Sequence, residues 1–511
     1  MELPLTSPDH LQFLNQFWWS LFILVPMVLI ARTVVAGTRY SPILIIVIFG
    51  LLMGFVLTSS GVTTAGLPDF PLVNVLSRTT IIALGATFFV GGQQLRRVFS
   101  KNSVSPDESV VYCTDEVFLG TGRTQFVFII RAFFLLLGIE AITKHLLGLS
   151  PADGLGRYYP LIAYFGLVIA AILIDNRAII DNKQAYLRRG LVEIVGLILI
   201  LVISYYIAGW IRPFIALPQI FFVMILSSGL GMLFYHLKHG PAIRCLLFAG
   251  IPIILAANFL VGGSLISGTL AIEGIAPILL YGFFGQVFWM FGGIALLMLL
   301  AGTAAIRNLA PGMAGALSHA GLTGACTAGD FGEEAARRAP VMINIPFFGH
   351  IFVFSLLALS IEQGALLFIP VAVVWLVGAV LAGLAFRTIR QAAGRERQEV
   401  TGLMIFSLGW QLVAVFGGLI LLAGQPLAYA SLAKSAALSH FGLFAAIQGG
   451  MFGAEAADLI AFVFAMPFLV HPLVFFLFGR AMGNDGQMPR LPVYILTVLG
   501  LAGVIYGLFL L

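Results

Sequence analysis

The chain has 511 residues, of which 60% are hydrophobic and only 10% charged, against about 25% charged in an ordinary soluble domain. With 27 basic and 22 acidic side chains and a mean hydropathy of +1.05, it cannot clothe a water-facing surface of this size. That excludes a soluble enzyme, a disulfide-stapled secreted scaffold and a disordered chain, and leaves an integral membrane protein.

A spanning helix needs about 20 mostly apolar residues. Such runs fall, in chain order, at 17–35, 41–60, 72–92, 125–148, 158–175, 190–208, 213–235, 243–262, 278–302, 341–360, 365–386, 401–424, 458–480 and 491–511. The expected fold is all-α: a polytopic membrane protein of about 14 transmembrane helices. The start, MELPLTSPDH, lacks the basic segment of a cleaved signal, so the first span is expected to be retained. Between spans three and four lies the one sizeable polar loop, 96–124, too short for a core of its own.

Basic residues test the count independently. Alternate connections, starting after the first span, hold 21 of the Lys and Arg residues, and the opposite side holds five (Arg78, Lys144, Arg157, Arg212 and Lys434). Only Arg131 falls inside a run. The positive-inside rule then puts both termini outside the cytoplasm, in a cell (inner) membrane. It also accounts for the net charge of +5 without any nucleic-acid partner.

The most specific signal is an internal repeat. The segment from Ala316, ALSHAGLTGACTAGDFGEEAARRAPVMINIPFFGH, aligns without a gap on that from Ala437, ALSHFGLFAAIQGGMFGAEAADLIAFVFAMPFLVH, with identity at 16 of 35 positions. The copies begin 121 residues and three spans apart. An odd number of spans gives them opposite orientations, so these are expected to be inverted repeats. Four organisational units follow: 1–212, an N-terminal bundle; 213–302; 303–386, copy one with a polar segment at 303–340; and 401–511, copy two with a polar segment at 425–457. A weaker echo lies upstream, where the third span ends Phe88-Phe89-Val90-Gly91-Gly92 and the eighth ends Phe259-Leu260-Val261-Gly262-Gly263. Each follows a span with paired glycines, Gly50 and Gly54 in one and Gly229 and Gly231 in the other.

Each repeated polar segment is too polar for a simple span and too apolar for a solvated loop. Re-entrant hairpins or broken helices are the expected solution, because irregular backbone at membrane depth must be buried or line a watery cavity. The glycines, Gly321 and Gly442 among them, permit close approach, and Ser318 and Ser439 add hydroxyls. Glu334 and Glu455 recur at matched positions, and a carboxylate near hydrocarbon suggests Na⁺ binding or proton carriage. His319 and His440 recur with His350 and His471, the latter two standing four residues after Pro346 and Pro467. These ten residues are the expected substrate- and ion-binding set. No catalytic or metal-ligating set is expected, since no P-loop, GxSxG elbow, HExxH or Cys/His zinc spacing occurs.

The arrangement resembles the inverted-repeat secondary transporters related to sodium/glutamate symporters, bacterial carboxylate carriers and cation:proton antiporters. The features that carry it are the Pro42-to-Gly54 helix, the Phe88–Gly92 helix end and the Gly-rich segments near 316–332 and 437–453. No family motif is intact, and the antiporters' paired aspartates are missing. The resemblance implies transport of a small, anionic or amino-acid-like solute driven by Na⁺ or H⁺, with no other cofactor, by symport or antiport, and a possible homodimer in the bilayer. The rival readings are a His-ligated metal or haem redox subunit and an ion channel.

Overall fold

The computed structural model describes residues 8–36, 40–60, 71–100, 122–149, 158–174, 183–214, 219–237, 240–270, 273–300, 368–392, 395–422 and 489–511, with a few isolated positions besides. Every regular element among them is helical: α1 Pro8–Val35, α2 Pro42–Ser59, α3 Pro71–Arg78, α4 Thr80–Phe99, α5 Gly122–Leu146, α6 Tyr158–Leu173, α7 Lys183–Ile211, α8 Gln219–Leu233, α9 Pro241–Cys245, a π-helical turn Leu246–Gly250, α10 Ile251–Leu270, α11 Ile275–Leu300, α12 Phe368–Gln391, α13 Glu396–Leu421 and α14 Arg490–Leu510. Ten helices among the described residues are long and apolar enough to cross a membrane, and two shorter apolar ones, within α6 and α8, join them. Twelve of the fourteen expected spans therefore fall on described helices. The expected spans at 341–360 and, almost wholly, 458–480 lie outside the described residues.

Local chemistry sets the helix ends. Ser41 caps α2 by accepting from the Ile43 N–H at 3.2 Å, with Pro42 in the first turn, where no partner for its nitrogen is needed. α5 closes in a Schellman turn: Gly148 adopts φ 71°, and the Leu149 N–H reaches back to the Lys144 carbonyl at 2.9 Å. Large apolar side chains lie on the outer faces, Trp210 75% and Phe509 89% exposed, as lipid contact requires.

Charge inside the apolar bulk is paired. Arg131, only 1% exposed, donates to the Tyr186 hydroxyl at 3.1 Å and faces its ring. Glu140, two and a half turns on, bonds Lys144 at 2.9 Å near the helix end. Glu193, in α7, accepts the backbone N–H groups of Gly240, Ala242 and Ile243 and so caps α9 from another helix.

The helices pack in pairs through small residues, which let backbones approach closely in lipid. α2 lies along α10 and α4 along α8; α11 lies along α14 and α12 along α13. The contact registers give direction. Gly50 meets Phe259 while Gly54 meets Ser264, so α2 and α10 run parallel. Gly507, Gly503 and Gly500 meet Tyr281, Phe284 and Phe288 in turn, so α11 and α14 run antiparallel. α11 and α13 cross through Trp289 and Trp410, whose rings sit 5.6 Å apart and whose indole Nε1 at 410 donates to the Trp289 carbonyl at 2.7 Å.

Candidate functional site

All ten residues expected from the sequence to bind substrate or ion (Ser318, His319, Gly321, Glu334, His350, Ser439, His440, Gly442, Glu455 and His471) lie outside the described residues, as do the polar segments 303–340 and 425–457. The described helices do organise the weaker upstream echo into a site.

The four helices that carry that echo pack reciprocally. A Cβ built on Gly54 of α2 would strike the Leu260 carbonyl oxygen and the Ser264 nitrogen of α10. A Cβ on Gly231 of α8 would strike the Phe89 carbonyl oxygen and the Gln93 nitrogen of α4. In the other direction, Gly263 of α10 meets the Leu51 carbonyl and Gly92 of α4 meets the Ser228 carbonyl. Leu260 and Phe89, Ser264 and Gln93, and Gly263 and Gly92 each stand 171 residues apart, while Gly231 and Gly54, and Ser228 and Leu51, each stand 177 apart. The flanking helices follow suit: α1 touches α2 and α10, and α7 touches α8 and α4. The glycine match read from the sequence needs one correction. Gly229 meets nothing within 4 Å, and the residue that corresponds to Gly50 is Ser227.

The two central helices are also interrupted at corresponding places. α4 begins at Thr80 after the break that ends α3, and α10 begins at Ile251 after the π-helical turn; the two starts are 171 residues apart. At both breaks a side chain serves the same carbonyl. The Thr80 hydroxyl donates to the Ser77 carbonyl at 2.9 Å, and the Arg32 guanidinium donates to the Phe248 carbonyl at 2.7 Å. Pro252 explains the second bond: it stands four residues after Phe248 and lacks the N–H that would bond that carbonyl in an α-helix. Arg32 sits 3.9 Å from the Phe248 ring centroid as well, so a buried cation is held by a freed carbonyl and an aromatic face.

Beyond the breaks, α4 and α10 touch. A cavity of about 10 Å³ lies between them, lined by Thr80, Ala83, Leu84 and Thr87 of α4 and Ile251, Ile254 and Leu255 of α10. The first three positions on α4 correspond to the three on α10, and Thr87 corresponds to Asn258. Thr87 is 2% exposed and Asn258 wholly buried. Neither the Thr87 hydroxyl nor either polar atom of the Asn258 amide has a hydrogen-bond partner. Leaving such groups unpaired costs on the order of 1–3 kcal/mol each, and buried polar atoms in this condition point to water or an ion.

A second reciprocal set leads into the undescribed repeats. α11 and α13 end just before the polar segments 303–340 and 425–457, and they pack on α14 and α12 respectively. Gly500 of α14 meets the Phe288 nitrogen of α11 at 2.6 Å, and Gly378 of α12 meets the Val413 nitrogen of α13 at 3.1 Å. Gly500 and Gly378 lie 122 residues apart and Val413 and Phe288 lie 125 apart. The sequence carries a signal for this that the gapless alignment from Ala316 misses. At a spacing of 125, Gln286, Phe291, Gly292 and Gly293 match Gln411, Phe416, Gly417 and Gly418, and at 122 Pro370 and Val371 match Pro492 and Val493. Gln286 and Gln411 are both essentially fully buried.

No protein-family model, no curated protein and no solved structure matches the chain. The reading of the site therefore rests on the residues themselves.

Proposed function

We propose that the chain is an ion-coupled secondary active transporter, driven by Na⁺ or H⁺, for a small anionic or amino-acid-like solute. It works by alternating access between two sets of inverted repeats. The observation that carries this reading is the reciprocal packing. In each set the leading helix of one copy lies on a later helix of the other: α2 on α10 with α8 on α4, and α11 on α14 with α13 on α12. A duplicated unit whose copies exchange partners builds a pseudo-two-fold body. When the copies also have opposite orientations, as the span count requires, each conformation has a mirror-related counterpart open to the other membrane face. The antiparallel course of α11 and α13, three spans apart, supports that orientation: Tyr281 meets Gly418 while Gly293 meets Trp410.

In this reading the Gly-rich segments 303–340 and 425–457 are hairpins or broken helices that meet near the midplane, with Ser318, His319, Glu334, His350, Ser439, His440, Glu455 and His471 holding solute and ion. The test is uptake into proteoliposomes under Na⁺ and H⁺ gradients, across a panel of carboxylates and amino acids. Saturable uptake that vanishes when the gradient is dissipated is the expected result. Glu334→Gln and Glu455→Gln are each expected to lower it at least tenfold and to change its ion dependence. A panel without any gradient-driven uptake refutes the reading, and normal coupling in both variants refutes the assigned site.

A further inference from the structure

We propose that the cavity between α4 and α10 is a binding site for a single monovalent alkali cation of sodium size, with Thr87 and Asn258 as its side-chain ligands. The inference rests on the transporter reading, and it adds an ion site that lies apart from the repeated Gly-rich segments.

Size comes first. About 10 Å³ is close to the least room that one water-sized occupant needs, so a solute does not fit while a water or a sodium ion does. Donor chemistry narrows the choice. Thr87 and Asn258 offer a hydroxyl and an amide oxygen, hard neutral donors suited to an alkali cation and unlike the thiolates and imidazoles that hold transition metals. The lining has no carboxylate, whereas divalent ions take several oxygens and prefer charged ones. Neither a hydroxyl nor an amide titrates near neutral pH, so this site cannot carry a proton.

Position supplies the last step. The cavity is lined by corresponding stripes of two corresponding helices, 80, 83, 84 and 87 against 251, 254 and 255, with Asn258 continuing the second stripe. It therefore lies where the axis relating the two proposed copies would pass. A site on that axis has equivalent routes to both faces, which is what a coupling ion requires of an alternating-access carrier. The spans of α4 and α10 are five apart, which makes the helices antiparallel, so Thr87 and Asn258 stand toward opposite ends of the cavity. The unpaired polar atoms of Asn258 and Thr87 are the groups that an occupant would satisfy.

The experiment uses the purified full-length chain in nanodiscs without solute. The thermal unfolding midpoint is followed against NaCl, with choline chloride holding ionic strength constant, and KCl and LiCl in parallel. A ligand that binds only the folded state raises the midpoint with concentration. The wild-type chain is expected to respond to Na⁺ more strongly than to K⁺. N258L and T87V are expected to shift the half-effective Na⁺ concentration upward at least tenfold, and N258S, which keeps an oxygen, to retain part of the response. Midpoints in choline alone and elution as a single species show that each variant folds. An unchanged Na⁺ response in both N258L and T87V overturns the proposal and leaves a buried water in the cavity. Na⁺ binding that is lost in the variants, in a chain without gradient-driven uptake, sinks the transporter reading while the site stands. Na⁺-driven uptake with normal binding in the variants does the reverse.

Discussion

Gly231 and Gly229 lie two residues apart on α8, yet their surroundings differ completely. A methyl at 231 would fall on the Phe89 carbonyl oxygen and 3.1 Å from the Gln93 nitrogen of α4, and one at 229 would meet nothing within 4 Å. Alanine at an open helical position gains up to about 1 kcal/mol over glycine from the restricted unfolded chain. At 231 that gain is opposed by backbone that must move, and overpacking of this kind costs about 1–3 kcal/mol. G231A is therefore expected to lose about 1–2 kcal/mol net and G229A to be neutral or slightly stabilised. G54A, whose added methyl meets the corresponding atoms Leu260 O and Ser264 N, should fall as far as G231A. The assay is the unfolding midpoint of each purified variant in one detergent, read against wild type. Equal midpoints for G229A and G231A would refute the close approach, and opposite behaviour of G54A and G231A would refute their correspondence.

Other expectations follow from single contacts. R32A removes the donor to the Phe248 carbonyl and should cost about 1.5–3 kcal/mol. P252A restores an N–H for that carbonyl, so the double variant should recover at least 0.5 kcal/mol of the loss, read as non-additivity in a double-mutant cycle of unfolding midpoints. E193Q keeps the size of the group that accepts from Gly240, Ala242 and Ile243 but removes its charge, and should cost about 1 kcal/mol. G240A should cost more than E193Q, because its methyl would lie 2.7 Å from the Glu193 carboxylate; equal stability of G240A and wild type would remove Glu193 as the cap of α9. W410F deletes the bond to the Trp289 carbonyl that ties α13 to α11 and should cost about 1 kcal/mol, measured in the same assay.

How far the sequence could be read depended on which physical signal each feature leaves. Apolar length located twelve spans that the structure describes as helices, because a membrane imposes that length whatever the packing. The five-residue match of Phe88–Gly92 with Phe259–Gly263 also had a structural meaning, since Gly92 and Gly263 are the points of closest backbone approach. Pairing the glycines of α2 and α8 by eye misplaced Gly229, because glycine spacing does not say which face a residue occupies. Only the contacts identify Ser227 as the residue opposite Gly50. Glu193 illustrates another limit. Its position within a span suggested a single charge near the cytoplasmic face, but its partners are backbone N–H groups of a helix 47 to 50 residues away, which no residue pattern announces. Arg32 and Pro252 were legible separately, as a basic residue at a helix end and a helix breaker. That one serves the carbonyl freed by the other emerges only when α1 is packed beside α10. Thr87 and Asn258 are ordinary residues in composition, and their interest lies wholly in having no partner at corresponding places.

The inverted relation of the two halves is the claim on which transport rests, and sidedness of labelling tests it most directly. With Cys113, Cys245 and Cys326 replaced, single cysteines are placed at Ser100, just after α4, and at Glu273, just after α10. An impermeant thiol reagent applied to intact cells and to inverted vesicles then reports the face of each. The account expects Ser100→Cys to react from the cytoplasmic face alone and Glu273→Cys from the opposite face alone. Reaction of both from the same face would contradict it.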